Sequence, residues 1–285
     1  MKQNFFKSNW IYILWCGFYF GITCVMFGGQ LESIGIAVLI YALSMLIAFS
    51  PLGEAILRLM NDVRTIDTKK EKEYLLPIFN EVYEQSKQFF PSLNKIQLYI
   101  IDAMYVNAFA FGRGTVAVTR GAVQTFSSEE LKGIIAHEIG HIARGHTIAL
   151  LITVVGNGIF TIFMVALQII GNIANGMFRN GYMRLVTLLF NIVLAYFFYL
   201  GQVILSINSR KNEFEADYFA CQAGYGVNLT ESLYILHEMS MNQKMSLKEK
   251  LRASHPHLAK RIERLETLLD SEEIEEQEQL SEDTE

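Results

Sequence analysis

The sequence predicts an α+β fold that is predominantly α-helical and includes four transmembrane helices. Of the 285 residues, 51% are hydrophobic and the mean hydropathy is +0.24, which is typical of a membrane protein with a modest soluble part. Four long runs of the chain carry no charged residue. Helical and strand periodicities in the polar segments between these runs predict a soluble domain with a small β-sheet, built from separate parts of the chain.

The first two uncharged runs, residues 9–31 and 33–53, predict a transmembrane hairpin. Each run is long enough to cross a bilayer as a helix. A cleaved signal peptide is the alternative for the first run, but the run is too long and the second follows almost at once. Lys2 and Lys7 precede the hairpin and a basic cluster that begins at Arg58 follows it, so both flanks are predicted to lie in the cytoplasm.

Two further uncharged runs, residues 147–178 and 185–208, predict a second hairpin. Arg210 and Lys211 after it favour a cytoplasmic face, whereas two arginines in its connecting loop argue mildly the other way. An even number of spans keeps both termini and both polar segments on one side of the membrane. We therefore expect a multi-pass protein of the inner (plasma) membrane, with its soluble domain and both termini in the cytoplasm.

The polar segments predict helices around a short run of strands. Residues 54–92 and 209–270 are predicted to be largely helical. Residues 95–119 are predicted as strands, because KIQLYIID alternates polar and apolar positions and TVAVT is β-branched. Between these two, Asn107 to Ala110 form an extended run that ends near two glycines. An ordinary strand is the simpler interpretation of this run; the alternative is a sheet edge that pairs with a peptide backbone.

The run SSEELKGIIAHEIGHIARGH predicts a helix that carries an H-E-x-x-H motif. Ser127 and Glu130 have capping-box spacing, which predicts where the helix begins. His137 and His141 are four residues apart, so they share one face of the helix and can both reach one zinc ion. Glu138 lies beside them and can act as a general base on a zinc-bound water. A coincidental pair of histidines is the alternative, because the bare motif is a weak signal.

A catalytic zinc usually has three protein ligands, and Glu213 is the best candidate for the third. His146 does not fit the extended pattern H-E-x-x-H-x-x-G-x-x-H, whose third histidine would fall one residue later. His237 lacks a partner motif. Glu213 would complete a His₂Glu set, and Asp217, one helical turn on, could accept the free N–H of a ligating histidine. The alternative is a solvated helix face on which these two acids pair with Arg210.

Four motifs together, HEIGH, SRKNEFEAD, VNAFAFGRG and SHPHLAKRI, resemble the HtpX-type membrane zinc metalloproteases, which are relatives of the CAAX prenyl proteases. The resemblance covers most of residues 1–268, including the placement of the four uncharged runs. It implies a gluzincin-like (zincin-like) metalloprotease domain with one Zn²⁺ per chain. The ligands would be His137, His141 and Glu213, with Glu138 as the general base.

The resemblance also implies roles for residues around the metal ligands. Asp217 and Arg210 would lie beside the ligands, and His255 would help at the transition state. The strand that borders the substrate cleft would contain Asn107, Ala108, Phe109 and Ala110. Two departures leave the subgroup open: family members often have Asp in place of His146, and a longer insert in place of residues 113–115.

The chain divides into five segments on this interpretation. The last segment holds eight acidic and no basic residues, so without it 24 basic residues face 21 acidic ones, and the resulting charge of +3 gives no nucleic-acid footprint. The segments are an N-terminal transmembrane hairpin (1–53), a first catalytic part (54–146), a second transmembrane hairpin (147–208), a second catalytic part (209–270) and a disordered acidic tail (271–285).

The sequence therefore predicts a membrane-embedded zinc endopeptidase that cuts proteins at a cytoplasm-facing site. The expected partners are a protein or peptide substrate and the lipid bilayer, with misfolded or damaged membrane proteins as the expected substrates. Three alternatives stay open: a CAAX-type processing protease, an intramembrane protease and an inactive zinc-binding membrane scaffold. The three cysteines form no C-x-x-C pair, which fits a reducing compartment. Nothing in the sequence indicates the oligomeric state.

Overall fold

A computed structural model describes residues 31–151, 209–242 and 258–282 continuously, and single residues between 14 and 24 and between 162 and 196. The described chain is mostly helical with one four-stranded sheet. The helices are α1 (Leu31–Phe49), α2 (Pro51–Met60), α3 (Lys69–Phe89), α4 (Arg120–Thr125), α5 (Ser128–Ala143), α6 (His146–Leu151), α7 (Ser209–Gln222), α8 (Gly226–Asn242) and α9 (Leu258–Glu282). The strands are β1 (Val63–Arg64), β2 (Gln97–Ile101), β3 (Ala108–Phe111) and β4 (Thr115–Thr119).

The chain forms two compact units, each built from two separated segments. The first unit comprises residues 1–57 and 148–208, and the second comprises residues 58–147 and 209–285. The first unit contains α1, whose single charged residue is Glu32 and whose apolar side chains lie on all sides of the helix. A helix that is hydrophobic all round is suited to apolar surroundings rather than to the surface of a water-soluble domain.

The break between α1 and α2 has a local cause. Pro51 has no N–H to continue the hydrogen-bond ladder of α1, and its fixed φ suits the first position of a new helix. The Ser50 hydroxyl caps this new helix by accepting the Leu52 N–H at 3.2 Å. A Cβ on Gly53 would lie 2.3 Å from the Ala48 carbonyl oxygen, so the tight bend requires glycine there.

The prediction of four transmembrane helices is not confirmed. Among the described residues, no single helix is both long enough and apolar enough to cross a membrane. One bent pair, Ile34–Phe49 and Pro51–Met60, meets both conditions when its members are taken together, with a bend of 75° between them. Much of the predicted spans 9–31, 147–178 and 185–208 lies outside the described residues.

The second unit contains the sheet, whose strand order is β1-β2-β4-β3. The two central strands are parallel, with Gln97 opposite Thr115 and Ile101 opposite Thr119. Strand β1 runs antiparallel to β2, and β3 runs antiparallel to β4. The central strands are almost wholly buried, which explains their run of apolar and β-branched residues. The strands predicted within 95–119 are thus confirmed, and β3 lies at one edge of the sheet.

Helix α5 is the centre of the second unit. It packs against α3, α7, α8 and strand β3, and its buried face joins the main apolar core. Two glycines permit its closest approaches, because a Cβ on Gly133 would lie 2.3 Å from the Leu229 nitrogen and one on Gly140 would lie 3.1 Å from the Ala216 Cα. The sequence of α5 therefore allows α7 and α8 to lie against its backbone.

Helix α9 corrects one expectation, because it continues to Glu282, whereas the acidic composition predicted disorder from residue 271. Its first turns are anchored by Ile262 and Leu265, which are buried in the core. Beyond them, glutamate, glutamine and leucine all favour helix, so the anchored helix can continue into the acidic run. The low-hydrophobicity argument for disorder missed this helical preference.

Candidate metal centre

Helix α5 carries the H-E-x-x-H residues in a rigid frame. The predicted capping box is confirmed: the Ser127 hydroxyl accepts the Glu130 N–H, and the Glu130 carboxylate accepts the Ser127 N–H at 2.7 Å. Both His137 and Glu138 are buried, although neither a histidine nor a carboxylate is stable in an apolar core without partners. Their burial therefore indicates that both side chains have polar or metal partners.

Helix α7 brings Glu213 to the two histidines. The Nε2 atoms of His137 and His141 lie 3.2 Å apart, and each lies 3.5 Å from an oxygen of Glu213. A tetrahedral zinc with bonds of about 2.0–2.2 Å has its ligand atoms about 3.3–3.6 Å apart. All three distances are close to that spacing, although the two to Glu213 end on different oxygens of its carboxylate. The three side chains therefore offer ligand atoms within 4.8 Å of one another, and their chemistry, two imidazoles and one carboxylate, suits zinc.

A carboxylate holds the second nitrogen of His137. The His137 Nδ1 lies 2.9 Å from Asp217 Oδ1, and both side chains are buried. The buried arginine Arg261 binds Asp217 through two nitrogens, at 2.8 and 2.6 Å, and its third nitrogen lies 2.9 Å from Glu213. Burial raises the pKa of Asp217, but the charges of Arg261 and His137 outweigh it and hold that pKa below its usual range. Asp217 therefore stays ionised and can accept from His137.

The same contacts set the charge of His137 when no metal is bound. Burial and the nearby Arg261 lower its pKa, but the bonds to Asp217 and Glu213 outweigh them and raise it to about 9. A metal ligand must be neutral at its coordinating nitrogen, so a bound metal would displace this proton.

Arg261 is a residue of the site that the sequence analysis did not identify. It lies in the run SHPHLAKRI, which was one of the four motifs of the resemblance, so a signal was present. Arg210 was expected beside the ligands instead. Arg210 lies in the first turn of α7, but its side chain is outside the described part of the chain, and the described cation that contacts Asp217 is Arg261.

A different set of groups contacts His141. Its Nδ1 lies 3.0 Å from the Nδ1 of His146, and the Nε2 of His146 lies 3.1 Å from Glu215. Lys211 lies 3.4 Å from the same carboxylate. Burial lowers the pKa of His146 to about 4, so its ring is neutral. Glu215 lies two residues from both Glu213 and Asp217, so it is on a different face of α7, and it reaches the site through His146.

Strand β3 places the Asn107–Ala110 segment next to helix α5. Helix α5 packs against β3, and no other described strand pairs with the outer side of β3. Thr119 and Thr147 hold the two ends of the strand: the Thr119 hydroxyl accepts the Asn107 N–H at 3.0 Å, and the Thr147 hydroxyl donates to the Gly112 carbonyl at 2.6 Å. The segment is therefore a fixed sheet edge, and the first and last residues of β3, Ala108 and Phe111, are buried.

Two other histidines were considered from the sequence. His255 lies outside the described residues. His237 lies in α8, and among the described residues it is not part of the group of ligand atoms that lie within 4.8 Å of one another.

Comparisons with known proteins agree on one family. The family model described as peptidase family M48 matches residues 69–269. A protein named Protease HtpX from Hahella chejuensis is 33% identical over 188 residues, which cover 57% of this chain and 62% of that protein. Another Protease HtpX, from Shewanella baltica, is 30% identical over 209 residues, covering 64% of this chain and 70% of that protein.

A solved structure has a similar fold. The crystal structure of S. mikatae Ste24p matches with a TM-score of 0.50 at 20% sequence identity, and the match covers 87% of this chain and 61% of that one. At that identity the likeness concerns the fold alone. The chain spans a little under two thirds of the length of the first HtpX relatives that it matches.

Proposed function

The chain belongs to peptidase family M48, and from this premise we propose that it is a membrane zinc metalloprotease that hydrolyses internal peptide bonds of proteins. One observation carries the proposal: two histidines and a glutamate bring ligand atoms within 4.8 Å of one another, and a further carboxylate, Glu138, lies on the helix of the two histidines.

We propose that His137, His141 and Glu213 hold one Zn²⁺ per chain. When bound, the zinc ion supplies Lewis acidity, which polarises the scissile carbonyl and lowers the pKa of the attacking water. The protein residues keep the donor atoms aimed at one point, because Asp217 and Arg261 hold His137 and Glu213 in place.

Glu138 is the proposed general base. Its carboxylate takes one proton from the attacking water as the oxygen bonds to the scissile carbon, and passes that proton to the leaving nitrogen as the C–N bond breaks. The burial of Glu138 favours this proton transfer, because few waters compete for the carboxylate and water screens its electrostatic interactions less than at the surface. A structural metal site would have no need of this residue.

Strand β3 is the proposed substrate platform. Its outer side can pair with an extended peptide by backbone hydrogen bonds, and Asn107, Ala108, Phe109 and Ala110 would line that peptide. The threonine bonds at both ends support this role, since a fixed edge pairs at lower entropic cost than a mobile one. We also propose that His255 donates a hydrogen bond to the oxyanion that forms at the scissile carbonyl, and that Arg210 lies beside the ligands.

We propose a membrane location with a cytoplasm-facing site. The apolar residues of α1 support it: Leu39 and Leu46 are each 70% exposed, a surface that lipid would cover. The basic residues that flank the uncharged runs support the orientation. The segments 54–146 and 209–270 are the proposed catalytic parts, and 1–53 and 147–208 the proposed membrane hairpins. A site beside the bilayer suits misfolded or damaged membrane proteins as substrates.

The test is cleavage of an unfolded protein by the full chain purified in detergent. The variants are Glu138→Gln and, as a matched control on the same helix, Glu129→Gln, whose carboxylate pairs with Lys132 away from the ligands. We expect the wild type and the control to cut, a chelator to stop both, and Glu138→Gln to bind zinc while cutting about 10²–10⁴-fold more slowly.

Two results would contradict the proposal. Equal cleavage by Glu138→Gln and the wild type would show that Glu138 is not the base. Zinc-loaded wild type that cuts neither unfolded proteins nor membrane-protein or prenylated peptides would favour a membrane scaffold instead.

A further inference from the structure

We propose that His146 is a positioning residue of the metal centre, which holds His141 in its ligating tautomer and is itself held by Glu215. The inference rests on the proposed function, because it takes His141 as a metal ligand. It assigns a role to two residues that the chemistry of peptide hydrolysis does not use directly.

The geometry forms an unbroken chain of contacts. His141 Nδ1 lies 3.0 Å from His146 Nδ1, and His146 Nε2 lies 3.1 Å from Glu215 Oε2. Lys211 closes the chain at 3.4 Å from the other oxygen of Glu215. His146 is buried, so it has no bulk water with which to exchange these partners. Each of its two ring nitrogens therefore has a defined neighbour.

The order of donors and acceptors follows from the position of the metal ligand atom. His141 would bind the metal through Nε2, the atom that lies near His137 and Glu213, so its proton is on Nδ1. That N–H can donate only to a nitrogen that carries a lone pair, which fixes His146 Nδ1 as the acceptor. The proton of neutral His146 is then on Nε2, where it donates to Glu215. The negative end of the chain thus raises the basicity of the ligating nitrogen.

The turn between α5 and α6 makes this contact possible. Helix α5 ends at Ala143, and Gly145 has φ of +76°, a conformation that glycine adopts without strain. The chain then turns, and α6 begins at His146, five residues beyond His141. The next residue, Thr147, fixes α6 by its bond to the Gly112 carbonyl. His146 is therefore placed by backbone geometry and not only by its contact with His141.

His146 is a positioning residue rather than a fourth ligand. Its Nδ1 faces the Nδ1 of His141, the nitrogen that points away from the other donors, and its Nε2 contacts Glu215. Among the described residues, the group of atoms able to share one metal contains His137, His141 and Glu213 and does not contain His146.

The test uses two amides of different length. The oxygen of an asparagine can occupy the place of the imidazole Nδ1, whereas the terminal group of a glutamine falls at the place of Nε2. His146→Asn therefore keeps an acceptor for His141, and His146→Gln loses it. The full chain in detergent is titrated with zinc against a competing chelator, and its Co²⁺-loaded form is examined by visible spectroscopy. His146→Ala and, as a control at a histidine outside the ligand group, His237→Ala are measured alongside.

We expect zinc affinity to fall on the order of 10–100-fold in His146→Ala and His146→Gln, with an altered Co²⁺ spectrum, and to stay within about threefold of wild type in His146→Asn. His237→Ala removes a histidine of α8 that is not part of the ligand group, so its zinc affinity should match wild type. Equal affinity in His146→Ala, His146→Gln and the wild type would overturn the proposal, as would equal losses in the asparagine and glutamine variants.

His141→Ala separates this failure from failure of the proposed function. If His141→Ala binds zinc as tightly as the wild type, His141 is not a ligand, and both proposals are wrong. If His141→Ala loses zinc while His146→Ala does not, the metal centre stands and the role of His146 is wrong.

Discussion

The two histidines of α5 that we propose as metal ligands are held in contrasting ways. His137 contacts a carboxylate directly, and that carboxylate is bound by a buried arginine, Arg261, which is only 2% exposed. His141 contacts its carboxylate through a second histidine, and the cation at the end of that chain, Lys211, is 63% exposed. The first arrangement places all its charges in the interior, whereas the second leads from the interior to the surface.

This difference shows on which side of the site the charged groups are buried and therefore interact most strongly. On the His137 side, one arginine balances two buried carboxylates, so removing it leaves charge in a medium of low dielectric. On the His141 side, a neutral imidazole crosses the buried part of the path, Glu215 is partly buried, and the cation Lys211 lies where water screens it. Changes on the His137 side should therefore affect folding and metal binding, and changes on the His141 side mainly metal binding.

The largest expected effect comes from removing the buried cation. Arg261→Met should lower the free energy of unfolding of the metal-free protein by about 3–5 kcal/mol, because Asp217 and Glu213 lose their shared partner. Chemical denaturation in the presence of a chelator measures it. Lys260→Met, the adjacent exposed lysine of α9, is the matched control and should change stability little. Equal stability of the two variants would contradict the claim that the buried charges on the His137 side contribute strongly to folding.

The next effect concerns metal binding on the His137 side. Asp217→Asn keeps an oxygen near His137 but removes the charge that the arginine and the imidazole share. Zinc affinity should fall on the order of 10–100-fold, as measured by chelator competition. Asp270→Asn, at an exposed position of α9, serves as the control. Unchanged zinc affinity in Asp217→Asn would show that the direct carboxylate contact does not support the ligand.

A double variant tests whether the two sides act independently. Asp217→Asn and His146→Gln affect different ligands, so their losses of binding free energy should add to within about 0.5 kcal/mol. The measurement is a double-mutant cycle on zinc affinity. If the double variant binds zinc with the same affinity as the more affected single variant, the two sides form one coupled network and not two separate ones.

The smallest effect belongs to the exposed end of the His141 side. Lys211→Ala removes a cation that water already screens, so zinc affinity should change by a factor of about two or less. The same titration at low and high salt checks the reason, since the small difference should vanish at high salt. A tenfold loss would place Lys211 in the same class as Arg261 and contradict the contrast.

The His137 side could be predicted further from the sequence than the His141 side. Glu213 and Asp217 are four residues apart on one helix, so a local pattern linked a ligand to its orienting carboxylate. His146 and Glu215 are 69 residues apart and Arg261 is 124 residues from His137, and no local periodicity brings such residues together. The strand at Asn107–Ala110 was predicted from alternation, but its place at the sheet edge depends on the strand order.

Zinc-edge X-ray absorption of the zinc-loaded full chain tests the proposed metal centre most directly. We predict a zinc coordination shell of two imidazole nitrogens and carboxylate or water oxygens at about 2.0–2.2 Å. One imidazole should be lost from this shell in His141→Ala. A thiolate at about 2.3 Å, or a spectrum that His141→Ala and Glu213→Gln leave unchanged, would contradict the assignment of His137, His141 and Glu213 as the ligands.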